Sequence, residues 1–365
     1  MPYHPPIRLA LIVCLLAGVM QQMIKPNNYP PARKSDQVDD YHGTTVADPY
    51  RWLEDLDSDE TRKWVEAENK LSFGFLASIP ARNTIKERLT KLWNYEKYGI
   101  PFKEGNRYFY TRNSGLQNQA VLYTVTGLDA QPQMVLDPNT LSADGTVAVS
   151  GMQVSPDGKL LAYSLSASGS DWQEWKVRDV ATSKDLSDQL KWVKFSGVSW
   201  TRDGKGFFYS RYDEPKSDAL KGTNYFQKVY YHKLGTPQSE DVLVYERPDQ
   251  KDWLIGGTVT EDGNYLILTI YQGTDVKSRV YYKDLKAKDS AVVKLLDDFD
   301  AAYRFVGNEG PRFFFQTDLQ APRSKVIEVN VSKPARDNWK VIVPEGKETL
   351  LTTSFVNNKF VANYL

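Results

Sequence analysis

Asp157-Gly-Lys-Leu-Leu-Ala-Tyr163 decides the fold, because its shape returns along the chain. It recurs as Glu104-Gly105 then Arg107-Tyr-Phe-Tyr110, Asp203-Gly204 then Phe207-Phe-Tyr209, and Asp262-Gly263 then Tyr265-Leu-Ile-Leu268. Two further copies are Asn308 to Gly310 then Phe313-Phe-Phe315, and Asn357-Asn358 then Phe360-Val-Ala362. Each is a tight turn followed by an aromatic or aliphatic strand; Asp-Gly suits the turn because glycine tolerates positive φ at little cost. Successive copies start 46 to 59 residues apart. A second strand follows in several units, as in Trp175 to Val180, Lys228 to Leu234, Ser278 to Leu285 and Lys325 to Val331. A period near fifty with paired strands is the signature of a β-propeller. One small sheet cannot cover both of its own faces, whereas stacking sheets around an axis covers them. The competing architecture is a large β-sandwich whose turns happen to be evenly spaced.

Working outward, the 365 residues carry 46 basic and 46 acidic side chains. A formal charge of zero removes the electrostatic footprint that a nucleic-acid binder needs, so no nucleic-acid partner is expected. Aromatic residues make up 13% of the chain, which favours strands, whose pleated faces accommodate rings well. An all-β-dominated fold follows. Before the repeats, Asp57 to Tyr95 reads as helical: Trp64, Leu71 and Phe75 share one face, Pro80 ends that helix, and Ile85, Leu89, Leu92 and Trp93 form the stripe of a second. The expected layout is therefore 1–27 as a leader, 28–100 as a helical segment and 101–365 as the propeller. The sixth repeat shows one strand before Leu365, so the chain reads as stopping in mid-blade and as the front part of a longer protein.

At the N-terminus, Arg8 precedes an apolar run from Leu9 to Met20. Twelve residues are too few to span a bilayer and match a secretory signal peptide, with cleavage expected between 18 and 28. That pattern points to a secreted or periplasmic protein with no membrane span in the mature chain. The only cysteine, Cys14, lies inside the run, so the mature chain would have neither disulfides nor thiolate sites.

Signals for chemistry are sparse. No Gly-x-Ser-x-Gly elbow is present; Gly197-Val-Ser-Trp-Thr201 lacks the second glycine and falls in a repeat strand. Of three histidines, His4 would leave with the leader, and His42 and His232 read as turn and strand-surface residues. No metal site is expected. Asp55-x-Asp57-x-Asp59 resembles a calcium loop only superficially, since Glu60 stands where glycine is required; Asp57 or Ser58 reads instead as a helix cap. No glycine-rich phosphate loop appears, and no cofactor is expected. A carboxylate pair near the axis, as in five-bladed glycosidases, is disfavoured because six repeats exceed five.

Longer phrases carry a resemblance. Tyr41-His-Gly-Thr-Thr-Val-Ala-Asp-Pro-Tyr-Arg-Trp-Leu-Glu-Asp55 resembles the N-terminal signature of the prolyl oligopeptidase family. So do Leu92-Trp-Asn-Tyr-Glu-Lys-Tyr-Gly99, Asn113-Ser-Gly-Leu-Gln-Asn-Gln119, Leu136-Asp-Pro-Asn139, Trp200-Thr-Arg-Asp-Gly-Lys-Gly206 and Tyr230-Tyr-His-Lys-Leu-Gly-Thr-Pro-Gln-Ser-Glu-Asp241. The match runs from about residue 29 to the end, nearer to prolyl oligopeptidase proper than to oligopeptidase B or the dipeptidyl peptidases. The resemblance implies a serine endopeptidase cleaving short peptides after proline, in which a seven-bladed propeller sits over an α/β-hydrolase domain and the helical segment packs on the latter. On that resemblance about six blades are started here, and the catalytic domain is expected to be missing from this chain. No catalytic residue can then be named, and the chain is expected to be inactive by itself. Its expected partners are short proline-containing peptides and the hydrolase domain of the complete protein. The resemblance also implies three substrate-binding residues: Phe195, matching the family aromatic, and Ile255 and Thr274, standing where relatives often carry Met and Cys. The alternatives are a stand-alone propeller acting as a peptide- or protein-binding module, or a non-functional truncated product.

Overall fold

A computed structural model describes residues 29–127, 129–216, 222–287 and 289–365. The leader expected over 1–27 lies outside these residues. The chain divides into two compact units, one ending at Trp93 and one beginning at Asn94.

In the first unit a hairpin of Val38–Tyr41 and Thr44–Ala47 precedes two helices, α1 (Asp59–Ser78) and α2 (Arg82–Trp93). Ser58 caps α1, its Oγ accepting from the Thr61 N–H at 3.2 Å. Asp59 and Glu60 occupy the first turn, where carboxylates face the positive end of the helix dipole. The calcium-like spacing is thus a cap. The chain leaves α1 just before Pro80, whose missing N–H and fixed φ oppose a continuing helix. Ile85, Leu89 and Leu92 on α2 are each exposed by half or more.

The second unit is the propeller. Among the described residues it forms six successive sheets, each an antiparallel meander whose strands pair in chain order apart from an extra edge in the first. The second blade runs Val147–Val154, Leu160–Ala167, Gln173–Asp179, Lys184–Val193; the third Val198–Trp200, Gly206–Arg211, Lys228–Lys233, Val242–Tyr245. The fourth runs Trp253–Val259, Tyr265–Gln272, Ser278–Asp284, Val292–Leu296; the fifth Tyr303–Glu309, Arg312–Thr317, Lys325–Asn330, Lys340–Val343. The recurring Asp-Gly phrase is the turn between first and second strands. In three copies it is built alike: a Ser or Thr hydroxyl donates to the Asp, which also accepts the second following N–H. The hydroxyl distances are 2.7 Å for Ser155–Asp157, 2.7 Å for Thr201–Asp203 and 2.6 Å for Thr260–Asp262. The glycine after each Asp has positive φ, as the turn demands.

Packing explains why the second strands read as unbroken apolar runs. The cores lie between blades, and alternate residues of one strand face opposite neighbours. Phe207 and Tyr209 pack on Trp175 and Leu190 of the second blade, whereas Phe208 packs on Trp253 and Leu268 of the fourth. Phe313 and Phe315 face the fourth blade, and Phe314 faces Phe355 and Phe360 of the sixth.

One expectation needs correcting. The sixth repeat contains two strands, Leu350–Val356 and Lys359–Tyr364, joined by Asn357 and Asn358, both at positive φ. The sequence shows the strand after the turn and hides the one before it, because first strands put one face toward the axis and need fewer apolar residues.

Candidate functional site

The first strands of the second, third and fourth blades wall a cavity of about 580 Å³. Their small residues leave it open. At Gly256, an added Cβ would meet nothing nearer than the Thr269 carbonyl, at 4.0 Å. Strand direction separates two ends. Glu104 and Arg202, in the turns of the first and third blades, lie at one; Phe195 and Tyr271 lie at the other. Burial pushes the Glu104 carboxyl above the usual carboxylate range, with Glu261 adding to the rise and Arg202 opposing it. A cavity charged at one end and aromatic at the other can take an elongated ligand that presents polar backbone and an apolar ring.

The three sequence-predicted residues fall in different environments. Phe195 lines the cavity, is 62% exposed, and holds φ at +53°, a left-handed value unusual for an aromatic residue. Its neighbours are tied to the blades. The Lys194 carbonyl accepts from Gln227 Nε2 at 2.9 Å, and Ser196 Oγ accepts from the Ser210 N–H at 2.8 Å. Ile255 is buried in the core between the third and fourth blades, while the residues after it, Gly256 and Gly257, reach the cavity wall. Its main chain meets the same two partners: its N–H donates to Gln227 Oε1 at 2.7 Å, and its carbonyl accepts from the Ser210 hydroxyl. Thr274 sits exposed in the turn after Gln272 and is not part of the cavity wall. Sequence reasoning passed over Glu104, Arg202 and Tyr271. The first two were visible only as members of the repeated turn, and nothing marks a turn residue as axial until the blades are stacked.

His232 overturns its sequence reading. It is fully buried, not on a strand surface, because the fourth strand of the second blade closes over it. Its Nε2 lies 3.0 Å from Asp188 of that strand, and its Nδ1 lies 2.7 Å from Asp241. Asp188 also accepts from the Gly235 N–H at 2.7 Å, and Asp241 accepts from the Tyr209 hydroxyl at 2.6 Å. Burial alone would lower the imidazole pKa; hydrogen bonds to Asp188 and Asp241 outweigh it and raise the pKa to about 9. Burial, with Asp241 beside it, pushes the Tyr209 phenol up in turn. His232 is therefore an interblade ion pair with carboxylates on both sides. His42 lies in the hairpin turn, as expected, at positive φ.

Among the described residues no group of three or more His, Cys, Asp or Glu side chains could hold a metal ion, and no helix is long and apolar enough to cross a membrane.

Comparison with known proteins places this geometry. The family described as prolyl oligopeptidase, N-terminal beta-propeller domain, matches residues 30–365. The prolyl endopeptidase of Elizabethkingia meningoseptica is 38% identical over 342 residues, which are 93% of this chain and 48% of that protein. Prolyl oligopeptidase A of Amanita bisporigera is 34% identical over 371 residues, covering 92% of this chain and 48% of its own length. Among solved structures, prolyl oligopeptidase B from Galerina marginata, bound to a 35mer hydrolysis and macrocyclization substrate, superposes with a TM-score of 0.83 at 32% identity. That match covers 93% of this chain and 51% of the other. The chain thus spans about half the length of the relatives it matches.

Proposed function

This chain belongs to the prolyl oligopeptidase family, and from that premise we propose that its propeller is the peptide-admitting part of a serine endopeptidase acting after proline. The observation that carries the proposal is the axial cavity with Phe195 at one end, in a chain similar to prolyl endopeptidases along nearly its whole length. Peptide chains bring unpaired N–H and C=O groups, which polar walls can satisfy, and a prolyl ring packs well on an aromatic face. In this reading the propeller selects and orients, and an α/β-hydrolase domain supplies the serine, histidine and aspartate of acyl transfer. By itself the 365-residue chain binds short proline-containing peptides and hydrolyses none of them. The apolar run from Leu9 to Met20 supports export as part of the same proposal.

The test pairs binding with turnover. The purified chain is titrated with N-acetyl-Gly-Pro-Ala by isothermal calorimetry, incubated with a fluorogenic peptide containing an internal proline, and treated with a fluorophosphonate. Binding that weakens in Phe195→Ala, with neither cleavage nor serine labelling, supports the proposal. Cleavage together with a labelled serine overturns inactivity; absence of any peptide binding overturns the role of the cavity.

A further inference from the structure

We propose that Gln227 and Ser210 are positioning residues that set the peptide-facing wall, holding the Lys194–Ser196 segment and Ile255 in one fixed relation across the third blade. The proposal rests on the reading of the cavity as the peptide site.

Gln227 is 2% exposed and Ser210 fully buried, and neither lines the cavity. Each nevertheless contacts both edges of the wall. The Gln227 amide donates to the Lys194 carbonyl at 2.9 Å and accepts the Ile255 N–H at 2.7 Å. Ser210 donates its N–H to Ser196 Oγ at 2.8 Å and its hydroxyl to the Ile255 carbonyl. The residue on each side of Phe195 is thus tied, and both main-chain groups of Ile255 are taken, by two residues of the intervening blade.

The need for such ties follows from Phe195 itself. Its ring is mostly exposed, so no surrounding core holds it, and its left-handed backbone would relax to an ordinary conformation unless neighbouring contacts over-determine it. An amide used at both ends has no simple substitute. Glutamate keeps the acceptor for Ile255 but cannot donate to Lys194, and methionine of similar length does neither. Position and strain of the aromatic wall are therefore controlled from a residue that never meets the peptide.

The experiment uses the full chain with Gln227→Met and Ser210→Ala, each alone and combined with Phe195→Ala. Amide exchange followed by NMR reports the ties directly. The Ile255 N–H is expected to exchange at least about tenfold faster in Gln227→Met, as loss of a buried hydrogen bond implies, while the Phe314 N–H of the fifth blade is unchanged. The Phe195 ring resonances are expected to shift and broaden. Affinity for N-acetyl-Gly-Pro-Ala is expected to fall roughly three- to tenfold in Gln227→Met and to fall no further when Phe195 is already alanine. An equal factor in both backgrounds would show a general structural role and overturn the proposal, as would unchanged Ile255 exchange. If Gln227→Met does not fold, Gln227→Glu tests the same point: the Lys194–Ser196 segment loosens while the Ile255 N–H stays protected. Should the wild-type chain bind no peptide, the cavity reading fails, and the exchange and ring data still decide whether Gln227 holds the segment.

Discussion

Raising the pH should weaken the junction between the second and third blades through one proton. His232 is fully buried between Asp188 and Asp241, with Tyr209 as the other titratable group of the cluster. Its pKa rises from 6.5 to about 9 on folding. The folded chain therefore holds the proton more tightly than the unfolded chain. The resulting stability is fully present below pH 6.5, declines as pH rises, and is lost once pH passes about 9. That interval corresponds to about 3 kcal/mol. The assay is equilibrium urea unfolding, read by tryptophan fluorescence, between about pH 6 and about pH 9.5. Trp175 and Trp200, both in the core between these blades, report locally. His232→Gln cannot take up the proton, so its profile over the same interval should be flat, from a starting point lower by about 3–5 kcal/mol because two buried carboxylates lose their cation. A His232→Gln profile falling as steeply as wild type would refute the assignment of the titration to this histidine.

Three other outcomes follow from the packing. Phe314→Ala should cost about 3–5 kcal/mol, measured by chemical denaturation, because the emptied space lies between Phe355 and Phe360 and strand pairing prevents collapse. Gly158→Ala should be more damaging than Gly204→Ala. Both glycines have positive φ, but a Cβ at Gly158 would stand 2.5 Å from the Glu104 carbonyl, whereas at Gly204 nothing lies within 4 Å; melting temperatures of the two variants would rank them. Ser58→Ala should cost about 0.5–2 kcal/mol and lower the helical circular dichroism of the first unit; unchanged helicity would refute the cap.

Legibility in the sequence follows how each strand is buried. Second strands such as Leu160–Ala167 and Arg312–Thr317 touch a neighbouring blade on both faces, so they are densely apolar, and the repeat announces them. First strands carry glycine and threonine where they line the cavity, as in Trp253–Val259, and outer strands such as Val242–Tyr245 are half exposed; neither resembles a core strand in isolation. That is why the strand Leu350–Val356 was missed. The site was less legible than the fold. Phe195 came from resemblance, and the structure puts it on the cavity wall. Glu104, Arg202 and Tyr271 come to line one cavity only through stacking of separate blades, which no local pattern records. His232 looked superficial because its partners Asp188 and Asp241 lie 44 and 9 residues away.

The alternation within the second strands has an architectural consequence. In Gly206–Arg211, residues of one parity belong to the joint with the preceding blade and those of the other parity to the joint with the following blade. A one-residue deletion there would exchange the two sets and spoil both joints at once, as a wedge stone cut to the wrong taper loosens both of its neighbours in an arch. Length changes are then tolerable only where the chain leaves the sheets, in the outer connections, or as whole blades. In the second strands, which pair with the third strands without a bulge, single steps are shut out by the geometry of the strand.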